Sequence, residues 1–198
     1  MQFQPVDLPV LYFGTPVALV SSLNCDGTTN LSPISSYWAL DQTFMLGLGT
    51  AGQCYRNLQH EGGLVVNLPG AALWRNVEAI AATTGAKEMP QYKRDMGYRY
   101  EADKFRLGEL TTMASELVKP DRVAECPIQI EAEAVKFIPI GGDAPMAAVE
   151  VRVLRVHADK QVLQTGGRRI DLERWQPLYY VFQHYFTLGD RLGANFRA

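Results

Sequence analysis

Short β-forming runs separated by tight-turn residues constrain this chain more than any other feature. Val17-Ala18-Leu19-Val20-Ser21-Ser22-Leu23 is apolar and β-rich, and it stops at Asn24-Cys25-Asp26-Gly27. Asp-Gly between two such runs predicts a hairpin, because these residues accept the positive φ values of a two-residue turn. The returning strand is expected from Thr28 to about Tyr37, and the next over Thr43-Phe44-Met45-Leu46-Gly47-Leu48. Parallel neighbours would need a crossover of a dozen or more residues, and these turns leave no room for one. An antiparallel barrel or sandwich follows, mainly β with short helices inserted.

A short helix is expected from Gly52 to His60, with Thr50 as N-cap and Gly62-Gly63 as its stop. Leu64 to Leu68 returns as a strand and Pro69-Gly70 closes it. The next helix is expected over Leu73–Thr83, with Leu73, Val77, Ile80 and Ala81 on one face and Gly85 as its break. Residues 86–126 have no regular period and hold Tyr92, Lys93, Tyr98, Tyr100, Lys104 and Phe105. Two long strands then alternate, one through Ile128, Ile130, Ala132 and Ala134, the other through Val149, Val151 and Val153. Gly141-Gly142-Asp143 lies between them, and an aromatic run from Leu178 to Phe186 ends the regular part. With no repeat or linker, the 198 residues are expected to form a single domain, 1–198.

A formal net charge of −2, with 20% charged residues, gives no electrostatic footprint for nucleic acid. No apolar run approaches the roughly 18 residues that span a bilayer. Met1-Gln2-Phe3-Gln4-Pro5 lacks the basic and apolar regions of a secretion signal. Cys25, Cys54 and Cys126 are odd in number and widely spaced, which fits neither a disulfide framework nor zinc, and a reducing cytoplasm is the simplest setting.

Chemistry concentrates between Asn30 and Asn67. Asn30-Leu31-Ser32-Pro33-Ile34-Ser35-Ser36 and Gly47-Leu48-Gly49-Thr50-Ala51-Gly52 are patches of small hydroxyl, amide and glycine residues at the ends of expected strands. The second patch opens a helix, where backbone N–H groups and nearby hydroxyls suit a phosphate-bearing ligand. The same patch matches G-x-G-x-x-G, so a dinucleotide fold has to be weighed. Its helix has room for only about nine residues, the next strand carries no acid at its end to hold a ribose, and a hairpin precedes it. The plain reading, glycines that only make a tight turn, stays open beside the phosphate cradle.

In this order the motifs resemble the flavin reductase-like family, whose members have an FMN-binding split β-barrel of Greek-key antiparallel type. The resemblance rests on Thr15-Pro16-Val17-Ala18-Leu19-Val20, Asp26-Gly27, Asn30 to Ser36, Asn57-Leu58 and Leu64-Val65-Val66-Asn67-Leu68-Pro69. It continues more loosely through Glu125-Cys126-Pro127, Glu131 and Val149 to His157. It implies that the Asn30–Ser36 strand end lines a flavin, and that a T-x-x-N-[IL] helix start holds its phosphate. Here that start reads Cys54-Tyr55-Arg56-Asn57-Leu58, and a thiol is a poor donor to phosphate, so Gln53, Thr50 or backbone N–H groups would have to compensate. The implied cofactor site is Asn30, Ser32, Pro33, Ser35, Ser36, Tyr37, Trp38, Gly49, Thr50, Gln53, Cys54 and Asn57. The implied activity is hydride transfer from NADH or NADPH to FMN (or FAD) in a homodimer, with reduced flavin supplied to a monooxygenase or another acceptor. Because the flavin carries the chemistry, no catalytic dyad and no metal are expected. A flavin-binding module without turnover is the alternative, and a barrel using its flavin on its own organic substrate is a third reading.

Several side chains have a second reading. Tyr37 and Trp38 either wall the flavin ring or pack in a core. His60, His157 and His184 are far apart in sequence and in no metal-binding arrangement, so each reads as a surface or satisfied core residue, with His157, at a strand end, offering a nicotinamide contact as its second reading. Arg56, Lys93 and Arg168-Arg169 either meet phosphate or stand solvated, and the aromatic run around His184 forms a buried strand, a subunit contact or a ring wall.

Overall fold

The structure, a computed structural model, describes residues 1–142 and 145–196. Strands β1 (Phe13–Pro16), β2 (Ala18–Leu23), β3 (Thr29–Ile34), β4 (Tyr37–Leu40) and β5 (Thr43–Gly49) come first. Helix α1 (Gln53–His60), strand β6 (Gly63–Leu68) and helix α2 (Trp74–Ala81) follow. Between them and the long strands lie short pieces: β7 (Thr83–Thr84), α3 (Gln91–Asp95), β8 (Arg99–Tyr100), α4 (Lys104–Leu107), β9 (Thr112–Met113) and β10 (Arg122–Val123). Strands β11 (Ile128–Ile140), β12 (Met146–Ala158), β13 (Tyr179–Val181) and β14 (His184–Phe186) complete the chain.

The main sheet has seven strands in the order β3-β2-β6-β11-β12-β5-β4, every neighbouring pair antiparallel. The predicted hairpin joins β2 and β3, with Gly27 at φ 83° and Asp26 Oδ1 accepting from the Thr28 N–H (3.0 Å) and hydroxyl (2.6 Å). The strand expected to run from Thr28 to Tyr37 is broken. Ser35 and Ser36 turn the chain from one edge of the sheet, β3, to the other, β4, and Ser36 O accepts from Gly47 N at 2.6 Å. The sheet therefore closes without a ladder at that seam, which makes it a split barrel. Pro33 is tolerated because β3 is an edge strand whose outer side needs no donor.

Alternation along the strands fills two cores. Ala18, Val20, Leu46, Leu64, Val66, Ile130, Ala132, Val149 and Val151 point into the barrel, and α1 covers one end with Cys54 and Leu58. Leu19 and Leu31 point the other way, against Val77 and Ile80 of α2, Phe105 of α4, Val123, Cys126 and Leu178. The helix expected over Leu73–Thr83 ends at Ala81, because Thr83–Thr84 pair in parallel with Arg99–Tyr100.

Buried polar groups fasten the irregular region to the outer barrel face. Asn67 Nδ2 donates to Leu19 O and Ser21 Oγ, and Asn67 Oδ1 accepts from Val123 N at 2.9 Å. Glu131 is fully buried and accepts from the backbone N–H groups of Glu116, Leu117 and Val118. The β11–β12 connection turns through Gly141 and Gly142, at φ 79° and 59°, and Asp143 lies outside the described residues. The aromatic run forms the β13–β14 hairpin, which turns at Phe182 and Gln183, both at positive φ. Among the described residues, no helix is long and apolar enough to cross a membrane.

Candidate functional site

A cavity of about 200 Å³ opens at the seam of the barrel. One wall is the end of β3, Ser32-Pro33-Ile34, and another is the end of β5, Gly47-Leu48-Gly49. The start of α1 (Gly52 to Tyr55), Ala81 and Thr83-Thr84-Gly85 form the next walls, and Lys93, Tyr98 and Lys104 complete it. It exists because the chain crosses the sheet at Ser35-Ser36 instead of pairing there, and because α1 starts directly after β5.

Five of the expected site residues, Ser32, Pro33, Gly49, Gln53 and Cys54, meet in this wall. Asn30 stands behind it, where its Nδ2 donates to Ser32 Oγ (3.1 Å) and its Oδ1 faces Gly85. Asn57 is buried in a network: its amide donates to Ser22 Oγ (3.1 Å) and Asn24 Oδ1 (2.9 Å), and its oxygen accepts from Gln53 Nε2 (2.7 Å). It thereby fixes the start of α1 on the β2–β3 hairpin. Thr50 is not the N-cap. Its hydroxyl donates to Pro145 O (3.0 Å), and Gly52 caps the helix without a side-chain bond. Ser35 and Ser36 form the crossover, Tyr37 packs on Phe44 with ring centroids 6.0 Å apart, and Trp38 is exposed on the edge strand β4.

The charges come from the region without sequence period. Lys104, the first residue of α4, is buried, and its ammonium donates to Leu31 O at 2.8 Å. Burial is the main cause that pulls its pKa down to about 8, with Lys93 adding repulsion. Lys93 is half-buried and likewise lowered, first by burial and then by Arg56. Neither lysine has a salt-bridge partner among the described residues, and no carboxylate lines the cavity. Like charges held together in a low-dielectric site raise the energy of the empty protein, and an anion relieves that cost.

Cys54 is buried against Ser22 and Ser32, and burial pushes its thiol up to about 11, so the helix-start effect on it is outweighed. It is an inert wall residue. His157 is held by Glu131, with Nε2 and Oε1 2.6 Å apart, and does not line the cavity. His60 and His184 are exposed, and no group of metal ligands occurs among the described residues.

A phosphate-bearing ligand matches this donor set. The first-turn N–H groups of Gln53, Cys54 and Tyr55 have no carbonyl one turn earlier to bond, and two ammonium groups and the Ser32 and Thr84 hydroxyls share the same walls, while the Thr83 hydroxyl is committed to Ile80 O (2.7 Å). The glycines let these walls approach one another. A Cβ on Gly85 would stand 2.4 Å from Asn30 Oδ1, and one on Gly52 would stand 3.0 Å from Gly49 O and 3.9 Å from Lys93 Nζ. Gly85→Ala is therefore expected to cost about 1–3 kcal/mol by displacing the Asn30 amide from Ser32, as overpacking does. Chemical denaturation measures it, and an unchanged midpoint would show that Asn30 moves freely.

A family model described as "Flavin reductase like domain" matches residues 10–189. The protein YdfE of Bacillus subtilis (strain 168) is 41% identical over 198 residues, covering 100% of this chain and 95% of that protein. Among solved structures, flavoredoxin of Desulfovibrio vulgaris (Miyazaki F) superposes with a TM-score of 0.82 at 20% identity, covering 100% of this chain and 99% of its own. Nitrilotriacetate monooxygenase component B from Bacillus cereus gives a TM-score of 0.74 at 23% identity, covering 92% and 88%. At these identities the two structures show the fold that is shared.

Proposed function

The chain belongs to the flavin reductase-like family, and from that premise we propose that it is an FMN-binding reductase that takes hydride from NADH or NADPH. The observation that carries the reading is the seam cavity, where a helix start, hydroxyls and two unpaired lysines converge without a carboxylate. Lys104 and the first-turn N–H groups of α1 bind the phosphate. Anion binding holds the proton on Lys104 Nζ, which burial alone would loosen. Ser32-Pro33-Ile34 and Gly47-Leu48-Gly49 present backbone and small side chains, so a planar ring approaches the seam closely. Bound FMN supplies hydride acceptance and onward electron transfer to a monooxygenase or another acceptor, so the protein needs no acid–base dyad.

A homodimer is part of the same reading. Residues 1–12 and 187–196 run outside the strands, and Met1, Phe3, Leu11 and Leu192 are left exposed. Apolar arms of this kind suit burial against a second copy. The free thiols Cys25, Cys54 and Cys126 fit a reducing compartment, the cytoplasm in this reading.

The test is an absorbance spectrum of the purified protein with FMN, followed by anaerobic addition of each nicotinamide. Bleaching of the flavin band by NADH or NADPH is expected. Bound flavin that neither nicotinamide reduces would leave a flavin-binding module, and a protein that takes up no flavin would end the reading.

A further inference from the structure

A second cavity, of about 540 Å³, lies between α2 and the β13–β14 hairpin. Its size falls within the roughly 300–1,000 Å³ typical of whole-ligand pockets. Leu178, which is 2% exposed, makes an apolar floor, and Trp74, Tyr185 and Phe186 make the walls. The Trp74 and Tyr185 rings lean together at 39° with centroids 6.2 Å apart, and Tyr180, outside the lining, supports Tyr185 at 5.7 Å. One carboxylate lines the cavity, that of Glu78, one turn along α2 from Trp74. Its Oε2 accepts from the Tyr185 hydroxyl at 3.0 Å, which holds the carboxylate at the edge of the aromatic wall. A carboxylate can accept about four hydrogen bonds, so most of its capacity is left for a ligand. Among the described residues Glu78 forms no salt bridge, and no lysine or arginine side chain lines the cavity. Arg75, outside the lining, is turned over the Trp74 ring with Cζ 4.6 Å from its centroid, so a cation already rests on this indole.

We propose that this cavity is a second small-molecule site whose ligand is an aryl-alkyl amine, its ring lying on Trp74, Tyr185 and Phe186 and its protonated amine meeting Glu78. The aromatic walls supply apolar contact for the ring, and the quadrupoles of Trp74 and Tyr185 favour positive charge beside them. Glu78 turns that general affinity into a choice of charge. An ammonium forms a charge-assisted hydrogen bond with it, a neutral hydroxyl a weaker one, and an anion meets repulsion. The two cavities of the protein flank α2, since Ala81 lines the seam cavity and Trp74 and Glu78 line this one. Their charges are opposite. The seam holds two lysines and no carboxylate, and this cavity holds a carboxylate and neither lysine nor arginine, so a phosphate-bearing ligand and an amine sort to different sites.

The experiment measures binding of three probes of similar shape to the full chain by calorimetry: phenethylamine, phenylethanol and phenylpropanoate, which are cationic, neutral and anionic. At about pH 8 the amine is protonated and an ordinary histidine, such as His184 at the rim, is not. Wild type is expected to bind the amine at least roughly tenfold more tightly than the alcohol, the scale of one charge-assisted contact, and to leave the propanoate unbound at millimolar concentration. Glu78→Gln keeps an acceptor for the Tyr185 hydroxyl and should bring the amine within about twofold of the alcohol. Trp74→Leu should weaken both, and far-ultraviolet circular dichroism checks that each variant is folded. The proposal is overturned if the amine binds no more tightly than the alcohol, if Glu78→Gln leaves the amine preference intact, or if no probe binds at millimolar concentration. Sedimentation of the same samples tests the competing occupant. A dimer that becomes monomeric in Trp74→Leu gives the groove to a second copy and likewise overturns the proposal. Flavin enters none of these readouts, so their outcome is separate from that of the flavin reading.

Discussion

Lys104→Met is expected to bind FMN roughly tenfold to a hundredfold more weakly than the wild type while unfolding later than it does. The affinity loss is that of a charged donor to phosphate in a site shielded from water. The gain in stability comes from burial. A lysine brought from 10.5 down to about 8 carries roughly 3 kcal/mol of unfavourable folding free energy at neutral pH. Methionine removes that cost and leaves Leu31 O without its donor, a loss of about 1 kcal/mol, so a net gain of about 1–2 kcal/mol remains. The pH dependence is distinctive. Because the folded pKa is depressed, the penalty is complete below about 8 and fades as pH rises toward the unfolded value. Wild type should therefore gain stability relative to Lys104→Met between pH 8 and 10. Denaturant titrations of both proteins without flavin measure this, and parallel pH profiles would show that the ammonium is not strained in the empty site. A residue that weakens the fold and, among the described residues, forms no salt bridge in it, with a more distant carboxylate, Glu101, acting in its favour, is what a binding site looks like before its ligand arrives.

The second large effect is at Glu131. This carboxylate is buried on the outer barrel face and accepts from three successive backbone N–H groups, Glu116, Leu117 and Val118, and from His157. Burial alone would push its pKa up, and these donors outweigh that and hold it below the ordinary 4.5. Glu131→Met should cost roughly 3–5 kcal/mol, the penalty for removing one partner of a buried charged cluster. It should also loosen residues 116–118, whose backbone N–H groups donate to Glu131, while Arg122 on Ala114 O and the Ser115 hydroxyl on Pro120 O still hold the start of the segment. Glu131→Gln, which keeps one acceptor oxygen, should lose less. With the folded pKa depressed, the stabilisation is full above about pH 4.5 and drains away as pH falls further. Urea midpoints across acid pH measure it, and a Met variant as stable as the wild type would mean the loop is held by other contacts.

The two predictions fall on residues that differed in how readable they were. Glu131 was part of the motif order that identified the family resemblance, although its role as a loop anchor was not visible. Lys104 and Lys93 lay in the stretch without period, where one lysine looks like any other. Nothing local tells a buried ammonium from a solvated one. The only cue was a lysine followed by an apolar Phe105, and it gains meaning only once α4 packs against β3. The small-residue patches were easier, because Ser32, Pro33, Gly49 and Gln53 belong to strand ends and a helix start that short-range pattern predicts. Tyr37 and Trp38 show the limit of the same reasoning. They follow the crossover, so one packs on Phe44 and the other faces outward, away from the cavity. The pattern puts the cap at Thr50, two residues before Gly52, because nothing local reveals that the Thr50 hydroxyl bonds Pro145 O, 95 residues away in sequence.

By itself the sequence determined the class of fold and the main elements of the barrel, α1 and α2, though not the break between β3 and β4 nor the short pieces between 86 and 126. Strand period, the Asp26-Gly27 turn and the short connections are local, and they leave an antiparallel barrel with a small-residue helix start as the available solution. Only the tertiary structure decided where the site lies and what charge it holds. The break at Ser35-Ser36 carries the chain from one sheet edge to the other. A strap and a short helix then bring Lys93 and Lys104 to that seam. Both depend on contacts between residues far apart in the chain, such as Lys104 with Leu31, whose energy is set by burial and not by neighbouring residues.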